Sequence, residues 1–452
     1  MEYSGLSRDE IKERVRQFID EHENINFQDI TGKTLMDHAC ITGNTDLYDI
    51  LIEFGYTEHP TYILHNVTVN NQSYIIYDPI FFAFEFDNLN VIKKYKGSLN
   101  VVLNLYFDTG LSVAVKKGYC DIIEYLMFRK DVNFNYKNNC RQNIMFEAVM
   151  SNNIDIVDLL LKSDSIVKNL EDIDIYGKNV LFYVKSKDIL NKLVFYTSKF
   201  TIVDYFNNNI ITNAFENNYP IEYIKYLIKI VRNIDTNVKN NKGMTALLYA
   251  INTNDIELIK MLIEYGEDPN YEWKSTPLIQ ALTNKNKDVV KFLLSLETVD
   301  TNATGSGIIS PLVLAIEWGD LEIIEMLLSL NANPNYLSSS LDNSILYTSV
   351  LKGNIEIVKL LLKHNANPNL MKTPFAISPL ILAIESNLFE DKIELVESLL
   401  KHGANPNLPC GIGMTKYPLL SAKETDVRLV GPLLKYGASF SLLDRYQRIL
   451  SK

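Results

Sequence analysis

The sequence lacks the features that mark secreted and membrane-spanning proteins. Its 452 residues include only four cysteines, at 40, 120, 140 and 410, and no Cys-x-x-Cys pair. So few, scattered cysteines favour free thiols in a reducing compartment over a disulfide framework. No apolar run approaches the roughly 18–20 residues that cross a bilayer, and the first residues have no apolar core like that of a signal peptide. We therefore expect an intracellular, cytoplasmic protein without membrane insertion.

Basic residues are in the minority. The chain has 44 Lys and Arg against 55 Asp and Glu, which gives a net charge of −11. Such a chain would on average repel a phosphate backbone, so nucleic acid is not expected as a partner. The apolar content of 47% is too high for a disordered chain and sufficient for a buried core. These values predict a folded, acidic protein.

Groupings of chemically reactive residues are also scarce. The glycine-rich stretch 304–307 has no following Lys-Ser/Thr, so we interpret it as a turn and not as a phosphate loop. His364 and His402 occupy equivalent positions and are interpreted as helix-end residues that complement the dipole, with a metal pair as the alternative. The six histidines form no grouping typical of nucleophilic catalysis. We predict no catalytic residue, no cofactor and no metal.

The dominant feature that the sequence does have is a repeat. Asn-Ala-Asn-Pro-Asn occurs at 331–335 and 365–369, Gly-Ala-Asn-Pro-Asn at 403–407, and Glu-Asp-Pro-Asn at 267–270. The small residues of successive repeats, from Ala250 to Ala422, are spaced by 31, 34, 34, 34 and 39 residues. A period near 33 predicts a stacked array in which each unit packs on its neighbours.

One unit, 306–335, shows how a repeat should fold. Ser310 can cap a helix whose first residue is Pro311, where the missing N–H is harmless. Gly319-Asp320 ends that helix, and an apolar second helix begins near Leu321. The following Asn-Ala-Asn-Pro-Asn ends the second helix, because Asn tolerates the left-handed conformation and Pro cannot continue a helix.

This unit resembles the ankyrin repeat, with its pattern G-x-T-P-L-H-x-A, then G-N/H-x-E-I-V-x-L-L-L, then G-A-D/N-P/V-N. The match is strong at 240–407 and 29–55, moderate at 105–170 and weak at 171–239, and the usual His is absent from almost every unit. The resemblance implies an all-α ankyrin-repeat solenoid of about twelve helix-turn-helix units with short β-turn fingers. The small residues of the twelve units are Ala39, Ala83, Ala114, Ala148, Val184, Ala214, Ala250, Ala281, Ala315, Ser349, Ala383 and Ala422.

The predicted organisation has three parts: an N-terminal capping half-repeat over 1–28, the array over 29–440 and a C-terminal capping tail over 441–452. The half-repeat contains a helix with a Ser7–Glu10 capping-box pattern. The step from Ala39 to Ala83 is longer than the period, and its β-branched and aromatic residues predict a β-hairpin insertion at about 61–77. The weak units, 171–239, are expected to be the least stable.

The resemblance implies a non-enzymatic scaffold that binds a protein partner through its concave groove and finger tips. Groove positions precede the Gly-Asn/Asp step, and they include Glu317, Trp318, Leu351, Lys352 and Glu385, while Trp273 lies in a turn. Both tryptophans are candidates for partner contact, because exposed Trp is common in interface hot spots. The alternative is that each ring packs against a neighbouring unit. We expect a monomer.

The resemblance leaves the biological role open. Asn, Ile, Lys and Tyr are abundant, as in proteins from AT-rich genomes, and array-only ankyrin proteins are common in large DNA viruses, intracellular bacteria and protists with such genomes. A viral or bacterial effector that acts on a host protein in the host cytoplasm is therefore one hypothesis. The alternative is an adaptor that recruits a ubiquitin ligase or a signalling machine, although little chain remains after residue 440 for a recruiting module.

Overall fold

A computed structural model describes residues 3–56, 65–69, 72–76, 78–100, 108–197, 199–231, 234–271, 275–304, 309–337, 344–373, 376–387, 392–411 and 415–441. The chain forms two compact bodies, Met1–Asp235 and Thr236–Lys452. We call them the N-terminal body and the C-terminal body. Both consist of short helices joined by turns, and no helix within the described ranges is long and apolar enough to cross a membrane.

The N-terminal body is a double row of helices. The first helix of each repeat packs on the first helix of the next, as α2 does on α4, and second helices stack in the same way, as α3 does on α5. Helix α1 packs on α3 and so lies in the row of second helices, and the Ser7–Glu10 capping box forms as predicted. The elements are α1 (Arg8–His22), α2 (Leu35–Thr42), α3 (Thr45–Glu53), α4 (Ile80–Glu85), α5 (Leu89–Lys94), α6 (Gly110–Lys117), α7 (Cys120–Met127), α8 (Ile144–Met150), α9 (Ile154–Leu160), α10 (Asp164–Val167), a 3-10 helix (Val180–Tyr183), α11 (Lys187–Leu193), α12 (Ile210–Glu216) and α13 (Ile221–Ile230).

The C-terminal body is built from the same kind of helix pairs. Most of its first helices begin at a Ser or Thr cap, and Ser310 caps α18 with Pro311 at the first helical position, as the sequence predicts. The elements are α14 (Ala246–Thr253), α15 (Ile256–Glu264), α16 (Pro277–Thr283), α17 (Lys287–Leu294), α18 (Pro311–Trp318), α19 (Leu321–Ser329), α20 (Ile345–Leu351), α21 (Ile355–Lys363), α22 (Pro379–Glu385), α23 (Lys392–Lys401), α24 (Pro418–Thr425), a 3-10 helix (Val427–Leu429) and α25 (Val430–Lys435).

The small residues that define the period lie where first helices meet. All twelve are at most 1% exposed. Such complete burial leaves little free space around these positions, so a large side chain there would force the stack apart. Ser349 fits because its hydroxyl donates to the carbonyl of Ile345 at 3.0 Å. The part of the chain that the structure describes contains twelve helix pairs, one of which has a 3-10 helix as its first member, and this agrees with the predicted number of about twelve repeats.

One weak unit differs from the prediction of a regular helix pair at every step. Its first element is a single 3-10 turn, Val180–Tyr183, followed by the extended residue Val184. The cap of its second helix, Ser186, comes two residues after Val184, whereas Asp320 comes five residues after Ala315. The unit is therefore three residues short, and the tighter 3-10 geometry fits the remaining length.

The predicted insertion contains a β-hairpin. Strands β1 (His65–Val69) and β2 (Gln72–Ile76) are antiparallel, with Val69 opposite Gln72, so two residues connect them. The structure thus confirms the predicted hairpin within this segment. The rest of the 61–77 segment and residues 442–452 of the predicted tail lie outside the described residues.

Side-chain amides join successive turns in the C-terminal body. The Asn335 Nδ2 donates to the carbonyl of Asn365 at 3.2 Å, and its Oδ1 accepts from the backbone N–H of Asn367 at 2.7 Å. We call this two-bond contact an amide bridge. Each bridge therefore holds the turn of the next repeat. Bridges of the same geometry start from Asn237, Asn270, Asn302, Asn369 and Asn407.

Candidate functional site

The end of α18 presents Trp318 and its neighbour on the surface. Gly319 follows in the left-handed conformation, with φ of 84°, and its N–H donates to the carbonyl of Ala315 at 2.9 Å. A residue with a side chain is strained in this conformation, so glycine allows the chain to turn immediately after the tryptophan. The structure leaves Glu317 exposed and Trp318 half-buried. The ring is therefore partly accessible to a partner.

The corresponding positions of the next repeat are more exposed. Leu351, the last residue of α20, is 52% exposed, and Lys352 beside it is also exposed. We call Glu317, Trp318, Leu351 and Lys352 the concave patch, after the groove positions that the ankyrin resemblance predicts for them. Within the described residues, Glu317 and Lys352 make no hydrogen bond or ion pair. The patch thus combines two accessible apolar side chains with two charges that are free to meet a partner.

Polar groups at the equivalent positions of the flanking repeats form hydrogen bonds with other residues of the protein. The Asn252 Oδ1 accepts from Gln280 Nε2 and from Asn284 Nδ2, both at 3.1 Å. In the C-terminal direction, the Glu385 carboxylate accepts from Lys416 Nζ at 2.6 Å and from the Ser421 hydroxyl at 3.0 Å. The structure therefore uses Glu385, a predicted partner-binding residue, to tie one repeat to the next.

The concave patch lies in an acidic part of the chain. Between Lys291 and Lys352 the sequence has seven Asp and Glu residues and no Lys or Arg. Lys287 neutralises part of this charge, since its Nζ lies 2.7 Å from Asp320 Oδ2 and 2.9 Å from Glu322 Oε2. Burial raises the pKa of Asp320, but hydrogen bonds from Lys287 and Ile323 outweigh it and hold that pKa below its usual value. Glu317 has no such lysine partner among the described residues.

The other predicted site residue, Trp273, lies outside the described residues. A shallow cavity of about 470 Å³ lies between the second helices α19 and α21. All three of its glutamates are paired. Glu322 lies 2.9 Å from Lys287, Glu325 lies 3.5 Å from Lys363, and Glu356 lies 3.3 Å from Lys359. In the described part of the chain, no three His, Cys, Asp or Glu side chains are grouped as metal ligands would be. The concave patch is therefore the better candidate for recognition.

Comparison with protein-family models agrees with this architecture. A model of ankyrin repeats (3 copies) matches residues 111–204, 184–273, 210–305, 270–338 and 312–410, which together cover well over half of the chain. The chain belongs to the ankyrin repeat family. Members of this family are generally protein–protein interaction modules and generally non-enzymatic scaffolds.

Similar ankyrin repeat proteins occur in large DNA viruses. One from fowlpox virus is 27% identical over 46% of this chain and 34% of its own length. One from Acanthamoeba polyphaga mimivirus is 26% identical over 58% of this chain and 29% of its own length. The chain thus matches about a third of the length of these relatives. A solved ankyrin repeat domain from Acinetobacter baumannii AYE is 28% identical, with a TM-score of 0.38, over 43% of this chain and 98% of that domain.

Proposed function

We propose that this ankyrin repeat protein is a non-enzymatic module that binds a protein partner through the concave patch. The observation that carries the proposal is the accessibility of Trp318 and Leu351 on successive first helices, beside charges without internal partners. Apolar anchors that a partner can desolvate supply most of the affinity of many protein interfaces. The flanking repeats offer fewer free groups, because their amides and Glu385 bond within the protein.

The charge around the patch indicates the partner's chemistry. The acidic stretch between Lys291 and Lys352 favours a protein that presents a basic side chain next to an apolar one. The same charge disfavours nucleic acid. Because its relatives belong to viruses, we further propose that the chain is a viral effector that acts as a monomer on a host protein in the host cytoplasm.

The test is quantitative capture from host-cell lysate, compared between the wild-type chain and Trp318→Ala. We expect at least one protein to bind the wild type and to lose affinity for the variant by about tenfold or more, since anchors of this kind contribute about 2 kcal/mol. A matched control is Leu330→Ala, which removes an apolar side chain that is 44% exposed at the end of α19. Binding should be unchanged in that control.

The thermal midpoint distinguishes the two interpretations of the tryptophan. If Trp318 is a binding residue, the midpoint of Trp318→Ala should stay within about 2 °C of wild type, because a surface residue contributes little packing. A large fall would show that the ring is part of the core. Unchanged capture by a stable variant would place the interface elsewhere.

A further inference from the structure

Turns in the N-terminal body share one hydrogen-bonding design. An Asp or Asn at the start of the turn accepts two backbone N–H groups with its Oδ1. Asp174 accepts from Tyr176 at 2.8 Å and Lys178 at 3.0 Å. Asp204 accepts from Phe206 and Asn208 at 2.9 and 2.8 Å, and Asn138 accepts from Cys140 and Gln142 at 2.9 and 3.0 Å. The residues at the tip take no part in this pattern through their side chains.

Two neighbouring tips nevertheless carry large apolar side chains. Ile175 and Tyr176 are 40% and 46% exposed, and Tyr205 and Phe206 are 64% and 57% exposed. At the Asn138 turn the same two positions hold Asn139 and Cys140. Since the same hydrogen bonds form with those smaller residues, the turn does not require aromatic tips. A role in recognition explains their presence better than a role in folding.

The four side chains form one surface, which we call the tip platform. The backbone N–H of Tyr205 donates to the carbonyl of Tyr176 at 2.9 Å. The Tyr205 ring lies against Gly177, where an added Cβ would be 2.8 Å from Cδ1. Together the side chains expose about 400 Å², taking about 200 Å² for each complete side chain. That area is within the range of the largest apolar patch on a typical monomer, which is often functional.

The charges at the tips indicate what the platform can bind. Asp174 and Asp204 are buried, and their Oδ2 atoms face the Tyr183 hydroxyl and Lys178 Nζ respectively. Arg141 is exposed and makes no ion pair with a described residue, and it adjoins the platform because the carbonyl of Cys140 accepts from the N–H of Ile175 at 3.0 Å. Arg141 therefore offers a partner an accessible positive charge beside the platform, whereas both carboxylates are buried.

The surrounding sequence does not oppose an acidic ligand. Residues 101–235 contain 16 acidic and 16 basic residues, in contrast to the acidic stretch around the concave patch. Exposed charges more than about 8 Å away are largely screened at physiological ionic strength, so the exposed Arg141 is positioned to attract a carboxylate at the tips.

We propose that the tip platform binds an extended segment of a partner protein whose apolar side chains cover Ile175, Tyr176, Tyr205 and Phe206 and whose carboxylate pairs with Arg141. The proposal rests on the proposed protein-binding function and adds a second surface with the opposite charge preference. A second copy of the chain fits less well. In a two-fold contact each platform would place its arginine near that of the other, and two chains of net charge −11 repel each other.

The experiment is a random-peptide display selection on the immobilised full chain, with counter-selection on the double variant Tyr205→Ser, Phe206→Ser. The recovered peptides should be rich in apolar residues with at least one Asp or Glu. Fluorescence anisotropy should show a loss of affinity of tenfold or more in the double variant and several-fold in Arg141→Glu. Replacing the peptide carboxylate by its amide should remove the effect of Arg141→Glu.

Two controls keep the test specific. Phe195→Ser removes a phenylalanine that is 85% exposed in the same body but not at a tip, and it should leave peptide binding unchanged. Trp318→Ala should also bind the peptides normally, so a failure of the concave-patch proposal would not affect this result. Circular dichroism and the thermal midpoint confirm that each variant folds.

Three results would overturn the proposal. The first is that no recovered peptide depends on Tyr205 and Phe206 although both proteins are folded. The second is a recovered pool rich in Lys and Arg, which would contradict the assigned role of Arg141. The third is a wild-type dimer in sedimentation that the double variant dissociates, which would show that the platform is covered by a second copy.

Discussion

The amide bridges allow a prediction about coupling between repeats. In Asn335→Ala, the carbonyl of Asn365 and the N–H of Asn367 both lose their side-chain partner. The net contribution of one hydrogen bond to stability is roughly 0.5–1.5 kcal/mol, and water can replace part of that contribution at this half-buried turn. We therefore expect the C-terminal body to lose about 1–2 kcal/mol of unfolding free energy.

Both tryptophans, Trp273 and Trp318, belong to the C-terminal body, so intrinsic tryptophan emission monitors the unfolding of that body in urea. A lower midpoint with an unchanged slope would indicate reduced stability without a change in the surface exposed. Asn333→Ala serves as the control, because its Oδ1 accepts from Asn335 within the same turn at 2.9 Å. Asn333→Ala should reduce the unfolding free energy by about half as much as Asn335→Ala, because one hydrogen bond is lost instead of two.

Asn335→Asp separates the two halves of the bridge. It keeps an acceptor for the N–H of Asn367 but turns the donor that meets Asn365 into a carboxylate oxygen. The new carboxylate oxygen would then face the carbonyl oxygen of Asn365, so the loss of unfolding free energy should equal or exceed that of Asn335→Ala. If Asn335→Ala changes the unfolding free energy by less than about 0.3 kcal/mol, the bridges do not couple the repeats and the reasoning is wrong.

Two further predictions concern the N-terminal body. Burial raises the pKa of Glu147 above its ordinary 4.5 despite Lys116 at 3.9 Å, and the Oε2 of Glu147 has no hydrogen-bond partner among the described residues. Because the folded-state pKa is the higher one, this carboxyl favours folding most below pH 4.5 and loses that contribution as pH rises through the folded value. Glu147→Gln should therefore raise the unfolding free energy by about 1 kcal/mol at pH 7, and its thermal midpoint should depend less on pH above 4.5 than that of the wild type. A lower midpoint of the variant at pH 7 would contradict this account. Amide hydrogen exchange should be faster in 171–239 than in 240–407, because the 3-10 turn of Val180–Tyr183 replaces a full helix, and equal protection would refute the prediction.

Much of the architecture follows from local signals in the sequence. The small residues, the caps such as Ser310 and the left-handed stop at Gly319 each act within a few residues, and the structure confirms them. The 3-10 turn at Val180 does not follow from the repeat period alone, because this unit keeps the overall period while its first element is three residues short. The shortened distance from Val184 to Ser186 was the available signal.

The candidate surfaces were less predictable, because they depend on contacts between repeats. The position of Trp318 at the end of a first helix could be derived from the repeat register, but the pairing of Glu385 with Lys416 and Ser421 joins residues more than 30 positions apart. The tip platform does not follow from the repeat pattern, because Tyr205-Phe206 lies in a segment that matches the pattern poorly. An aromatic pair inside a turn is nevertheless a signal that the sequence itself contains.

The amide bridges also bear on how such an array can change over time. Each bridge uses a side chain from one repeat and backbone atoms from the next, as Asn335 does with Asn365 and Asn367. The receiving repeat therefore needs only the turn conformation and no particular partner residue. If a repeat were inserted, duplicated or exchanged after any such Asn, the same amide bridge could form to its turn, whatever side chains the repeat presents to a partner. The contact that holds the stack together thus leaves the recognition surface free to vary.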